Sequence, residues 1–295
     1  MPEAAGIIAV QHLVPPISLR RRLTDHAMTG IAILTVIVVL VPLVAIFGYL
    51  LFRGLASVNW AFLTQTPRPP GEVGGGVANG IVGSMMILGV ASLLGVPLGI
   101  GAGIYLAEYG RDRLGDAIRF TADVLNGVPS IVIGIVAYAI VVLYQKHFSA
   151  LAGGVALAIM MVPTISRTTE EMLLLVPQAL REAAYGLGIP RWRTTLSITL
   201  RSATSGVITG VMLAFARVAG ETAPLLFTTL GNEFWNMRLD QPTAALPLQV
   251  YNYAKSPYDD WHRQAWAGAL VLILLIVSAI AAVRYAVRRG NFGAA

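Results

Sequence analysis

Cysteine is absent from the 295 residues, which removes disulfides, thiolate metal sites and cysteine nucleophiles. Histidine is scarce, and His12, His26, His147 and His262 are too scattered for any two to have metal-ligand spacing. Charge is scarcer still. Asp, Glu, Lys and Arg make up 12% of the chain against 56% hydrophobic residues, where an average soluble protein carries roughly 25% charge. With a mean hydropathy of +0.70, this excludes a soluble globular domain and a disordered chain, and leaves a polytopic membrane protein. Neither lysine (Lys146, Lys255) belongs to a Gly-x4-Gly-Lys-Ser/Thr phosphate loop, so ATP hydrolysis is not expected in this chain. The spans hold no Ser/His/Asp set, no His-x3-His and no carboxylate dyad, which argues against an intramembrane enzyme.

What is present is apolar length. A span needs about 20 predominantly apolar residues, and six stretches qualify: 27–52, 79–105, 124–145, 149–166, 202–230 and 264–283. The expected fold class is all-α, with six transmembrane helices. The first stretch follows Arg20, Arg21 and Arg22, but its uncharged run exceeds the about 7–15 residues of a signal core and no cleavage pattern follows, so it reads as a retained anchor. Cations then set orientation. With a cytoplasmic N-terminus, Arg53, Arg68, Lys146, Arg238, Lys255 and Arg263 fall outside and Arg217 falls within a span. The remaining fourteen of the 21 cations fall inside. Both termini are therefore expected in the cytoplasm. The net charge of +6 is an orientation signal, and no nucleic-acid partner is expected.

Glycines and prolines divide the spans further. Gly95, Gly99 and Gly103 recur at four-residue spacing and make one smooth face for close helix approach, with a bend expected at Pro97. Gly127, Pro129, Ser130 and Gly134 mark another bend beside a small face. Outside the membrane, residues 66–76 read as an irregular loop. The aromatic-rich stretch 231–263 reads as an interfacial belt or a docking surface. Glu108, Asp123 and Asn126 read as solvated or capping groups, with Asp123 paired to Arg119 at i, i+4.

Residues 167–201 form the largest inward-facing segment. Residues 181–184 read as helix, Gly188 can end it, and Pro190 suits the start of a second helix. Leu180, Ala184 and Leu187 share one face, and Trp192, Leu196 and Thr199 another. The expectation is an elbow of two short amphipathic helices, suited to a groove on another protein or lying on the membrane surface.

One charge pair sits within an apolar run. Arg217 and Glu221 are one helical turn apart and would share a face, and charges in lipid face the bundle interior or water. Ser202, Gly206, Gly210 and Ala214 lead into Arg217 at i, i+4 steps, which predicts a subunit seam along one stripe. The pair is either a structural lock on that seam or a transit site, in which the Arg217 fork meets an oxyanion and Glu221 limits its hold.

These residues carry a resemblance. Glu182-Ala183-Ala184 and Gly188, followed by Ile198-x-Leu200, resemble the EAA loop of ABC-importer permeases. The consensus proline after the leucine is Arg201 here, a departure similar to the phosphate-importer branch. The stretches at 127–134, 216–227 and 266–268 look like the PstA-type permease family of phosphate importers, and the likeness spans roughly residues 70–285. It implies a MetI-like permease core over 71–289 that includes the 167–201 coupling loop. Before the core come the N-terminal segment, the anchor and the start of an outer loop (1–70), and after it a short tail (290–295). It further implies coupling to an ATPase through Glu182, Ala183, Ala184 and Gly188, and a translocation path at Arg217, Glu221 and Thr222. Gly206, Gly210 and Ala214 would pack between subunits. No cofactor is expected in this chain, since ATP and Mg would sit on a cytoplasmic ATPase dimer. The other implied partners are a PstC-like permease, an external phosphate-binding protein and membrane lipid. Sulfate, molybdate and phosphonate remain open as substrates. So does an ion-coupled secondary anion transporter, which would use Glu221 as its ion site and would not need the elbow.

Overall fold

The structure, a computed structural model, describes residues 18–289. The expected tail at 290–295 and the beginning of the N-terminal segment lie outside the described residues. The chain divides into two compact units, one ending at Leu51 and the other starting at Phe52. The described residues contain no strands, only isolated bridges. Among the described residues, five helices are long and apolar enough to cross a membrane, or six if one bent pair counts as a single span.

Helix α1 (Leu19–Leu55) carries the anchor sequence and begins at the arginine cluster. After the short α2 (Trp60–Thr64), whose Asn59 cap accepts the Phe62 N–H at 2.8 Å, come α3 (Ala78–Glu108), α4 (Arg113–Gly127) and α5 (Ser130–Gln145). Next are α6 (Ala150–Leu174), α7 (Gln178–Gly186), α8 (Arg191–Ala219) and α9 (Ala223–Leu226). The described residues end in α10 (Leu246–Ala254) and α11 (Asp259–Arg289).

The glycine face of α3 fixes the centre of the molecule. A Cβ at Gly99 would lie 2.6 Å from Ile165 Cβ, and one at Gly103 2.5 Å from Thr169 Cβ, both on α6. Only a missing side chain allows that approach, and α3 and α6 form the most extensive helix pair in the fold. From the other side, a Cβ at Gly154 of α6 would meet Val90 Cγ1 at 2.4 Å. Ile87, Leu157, Met161, Ile165, Val218 and Leu225 fill the core around this pair.

The first and sixth spans are helical beyond their expected ends, and three others differ in ways that bear on the site. The third is not one helix: α4 and α5 meet at 109° across Val128–Pro129. The residue before a proline avoids helical angles and the proline donates no hydrogen bond, so the apolar run from 124 crosses a break. The fourth continues past 166 to Leu174, because the charges that seemed to mark its exit are paired against α4. The fifth starts at Arg191, runs through a π-helical turn at Thr195–Thr199, and stops at Ala219 rather than 230.

The outer stretch 231–263 is built rather than loose. The Ala150 and Leu151 N–H groups, unpartnered at the start of α6, donate to Gln241 and Leu239 carbonyls, while Ser149 Oγ accepts from Ala152 N. Asn79 donates to the Asn232 carbonyl at 2.7 Å, and the Leu246 N–H donates to Ser84 Oγ at 2.8 Å. Phe62, Val77, Leu246 and Tyr253 make a second apolar cluster beneath it. Phe234, Trp235 and Met237 remain exposed.

Candidate coupling elbow and translocation site

The elbow forms at the expected residues, with different faces. Gly188 adopts φ +75°, and the bonds Gly188 N–H to Tyr185 O and Ile189 N–H to Ala184 O close α7 in a Schellman turn. Pro190 then caps the start of α8. Arg181 and Ala184 face inward, whereas Glu182, Ala183 and Gly188 are exposed. Leu180 and Leu187 do not share the buried face of Ala184, and Trp192 and Leu196 are exposed while Thr199 is buried. The second arm is also no short helix, because it continues unbroken into the membrane as α8. Leaving lipid changes the side chains of a helix but not its backbone, so composition alone placed a boundary there.

The inward turn of Arg181 has a cause that sequence reading missed. Its Nε and Nη2 donate to Glu108 Oε1 at 3.1 and 3.0 Å, Nη1 donates to the Val176 carbonyl at 2.6 Å, and Nη2 donates to Leu173 O at 2.8 Å. Arg191 donates to the Glu108 main-chain carbonyl and stacks over the Tyr109 ring, 4.4 Å from its centre. Glu108 is therefore a buried ion-pair partner and not a solvated cap. These residues border a cleft of about 700 Å³ between α3 and the elbow.

Asp123 is not the partner of Arg119. Arg119 passes it by and reaches Glu170 on α6 at 2.7 Å, with a weaker contact to Asp116 at 3.3 Å. Asp123 pairs instead with Arg167 at 3.1 Å, and Arg167 also meets Glu170 at 3.2 Å. Glu170 is buried, and leaving a buried carboxylate unpaired costs far more than a surface i, i+4 pair supplies, about 0.3–0.5 kcal/mol. Asn126 accepts from Thr164 Oγ1 at 3.2 Å.

At the far end of α8, the expected Arg217–Glu221 pair does not form. The helix stops at Ala219, Gly220 caps it, and Glu221 and Thr222 are non-helical. The i, i+4 spacing therefore no longer places both side chains on one face, and among the described residues no ion pair joins them. Arg217 lies in the last helical turn, where its charge suits the helix C-terminus, and its side chain is exposed. Glu221 and Thr222 are half-buried. The small-residue stripe meets a helix of the same chain: a Cβ at Gly206 would meet Met172 Sδ at 2.4 Å, and one at Gly210 Thr168 Oγ1 at 2.3 Å, both on α6. Ala214 is buried in the core. The seam expected between subunits is thus an internal one. Beyond the break, Pro224 packs on Gly134, where a Cβ would lie 2.7 Å from Pro224 Cα, so the 127–134 and 216–227 stretches touch.

In the outer segment, the Arg238 guanidinium at 2.7 Å holds the Asp240 carboxyl below its ordinary range. Burial pushes the Tyr253 hydroxyl up.

Residues 95–290 match the family model of the binding-protein-dependent transport system inner membrane component. The chain belongs to this family. Among its relatives, the phosphate transport system permease protein PstA of Yersinia pestis is 50% identical over 226 residues, covering 76% of this chain and 77% of that one. The PstA of Haemophilus influenzae is 44% identical over 258 residues, or 87% and 91% of the two chains. PstA 1 of Mycobacterium tuberculosis strain H37Rv is 36% identical over 282 residues, or 93% and 92%. An inward-facing structure of the MetNI methionine ABC transporter shares the fold, with a TM-score of 0.56 at 17% identity over 72% of this chain and 93% of that one. Within this transport family the elbow, the α8 break and the two clusters of paired charges all fall in the matched region. The sequence assigns Arg119, Arg167 and Arg181 to the inward-facing cations and Glu108 to a solvated or capping role, and it gives Glu170 no role. The available signal was their rarity, since each lies against a span in a chain that is 12% charged.

Proposed function

We propose that the chain is the membrane-spanning permease subunit of an ATP-driven importer that carries inorganic phosphate across the cell membrane by alternating access. The relatives named as phosphate transport permeases support this reading. The observation that carries it is the combination of a rigid, exposed elbow at one end of α8 with an exposed arginine at the helix break at the other. Glu182 and Ala183, with Gly188 holding the turn and Ala184 seating α7, offer a docking knob to a cytoplasmic ATPase dimer, where ATP and Mg would be bound. Arg217 presents planar donors to a tetrahedral oxyanion, and Glu221 and Thr222 stand just beyond the helix end, where a solute can be held weakly and released. A second, PstC-like permease would complete the path, and an external binding protein would deliver phosphate to the outer segment. Both termini would lie in the cytoplasm.

The test is phosphate uptake into vesicles that hold the assembled complex. Uptake should require ATP, stop with vanadate and resist excess sulfate. Arg217→Lys keeps the charge but loses the fork, and uptake should fall about tenfold or more, the range of a lost charge-assisted contact. Normal uptake by this variant would remove Arg217 from the path. Uptake driven by a proton gradient without ATP would instead favour the ion-coupled alternative, and competition by sulfate or molybdate would move the substrate to another oxyanion.

A further inference from the structure

We propose that Arg181 and Glu108 form a positioning clamp through which movement of the elbow is delivered to the membrane helices; this rests on the importer reading above. Arg181 stands next to Glu182 on α7, yet its side chain turns away from the exposed surface. Four of its five N–H donors are used: two on Glu108 and one each on the carbonyls of Leu173 and Val176. Its side chain is 9% exposed and that of Glu108 is 5% exposed. One guanidinium thus ties the coupling helix to the last residue of α3 and the last turn of α6. The other arm of the elbow grips the same point, with Arg191 on the Glu108 carbonyl and the Tyr109 ring.

This arrangement has a mechanical meaning because of what α3 and α6 are. The contacts at Gly95, Gly99 and Gly103 bring the two helices together more closely than any side chain would allow, and Arg181 ties both to α7, so a displacement of the elbow pulls on both. The α7 arm of the elbow has few other holds on this pair. Ala184 is the only other side chain of α7 buried among the described residues, and a methyl group cannot direct a rotation. A neutral contact of equal volume would preserve the fold but not the orientation, since the guanidinium fixes direction through its planar fork. Arg181 and Glu108 are therefore positioning residues that touch neither the solute nor the nucleotide.

The test uses the assembled complex in vesicles, with ATP hydrolysis and phosphate accumulation measured in parallel. Arg181→Met alone leaves Glu108 buried without a partner and can impair folding. The double variant Glu108→Met/Arg181→Met removes both charges at once, and its thermal unfolding midpoint in the complex serves as the check on the fold. The expected result for the double variant is an assembled complex that hydrolyses ATP within about twofold of the parent rate. Phosphate moved per ATP should fall about tenfold, the size of a typical coupling between sites. An unchanged ratio of transport to hydrolysis would overturn the clamp. So would a parallel fall in both, or a double variant that no longer assembles, since each makes the pair merely structural. If the parent complex shows no ATP-driven phosphate uptake, the importer reading fails instead, whatever the variants do.

Discussion

Gly103 and Gly101 lie two residues apart on α3 and face opposite surroundings. A Cβ at Gly103 would meet Thr169 Cβ and the Ser166 carbonyl at 2.5 and 2.7 Å, whereas at Gly101 nothing lies within 4 Å. Gly103→Ala should therefore destabilise the protein by about 1–3 kcal/mol through overpacking. Gly101→Ala should be neutral or stabilising by up to about 1 kcal/mol, because alanine favours the helix. Unfolding midpoints of the two variants in the same detergent check this, and equal midpoints would contradict the close-contact account of the seam. The glycine seam was legible because a four-residue period of small residues has one structural meaning in a membrane helix. The buried charges were not. Glu108 and Arg181 are separated by 73 positions, and nothing in the local pattern around either names the other. Arg217 and Glu221 failed in the opposite way: their spacing was right for a helix, but spacing does not say whether the helix continues. Gly220, a residue suited to ending helices, lay between them as the unread clue.

The turn of the elbow was anticipated, because glycine and proline act on the backbone directly, although the buried faces and the length of its second arm were not. Gly188 sits at φ +75° with no atom within 4 Å of a built Cβ, so a substitution there tests the backbone alone. Gly188→Ala should cost about 1–2 kcal/mol for holding an L-residue in the left-handed region, with Gly188→Asn milder. The expected readout is a lower unfolding midpoint together with weaker retention of the partner ATPase during purification. Equal midpoints for parent and Gly188→Ala would mean that the turn is not held as described. What could not be anticipated was where each element ends. Helix α6 outruns its apolar stretch because Arg167 and Glu170 find partners on α4, and α8 outruns its own because the elbow is its first turn. The outer segment reads from sequence as a belt or docking surface, and its hydrogen bonds from Ala150 to Gln241 and from Leu151 to Leu239 join residues far apart in the chain.

At the scale of the whole molecule, the absence of cysteine becomes a tool. Single cysteines can be introduced without background and probed with a membrane-impermeant maleimide. Phe234→Cys, in the exposed outer segment, should label on intact cells. Arg111→Cys, exposed between α3 and α4, should label only after the membrane is opened. The reverse pattern would invert the orientation drawn from the arginine distribution. Five of the six expected spans appear among the described residues as single long helices, and the third is a pair bent by 109°; Pro129 marked the place of that bend in the sequence but not its size.

The glycine seam also bears on what one copy of this chain can do. Helices α3 and α6 are closely packed along Gly95, Gly99 and Gly103, and α8 packs on α6 at Gly206 and Gly210, an arrangement that resembles a single beam. A beam cannot part to make an opening, so any aperture has to form along its flank, against a surface supplied by another polypeptide. A single copy in a bilayer would then supply one bank of the passage and not the passage itself.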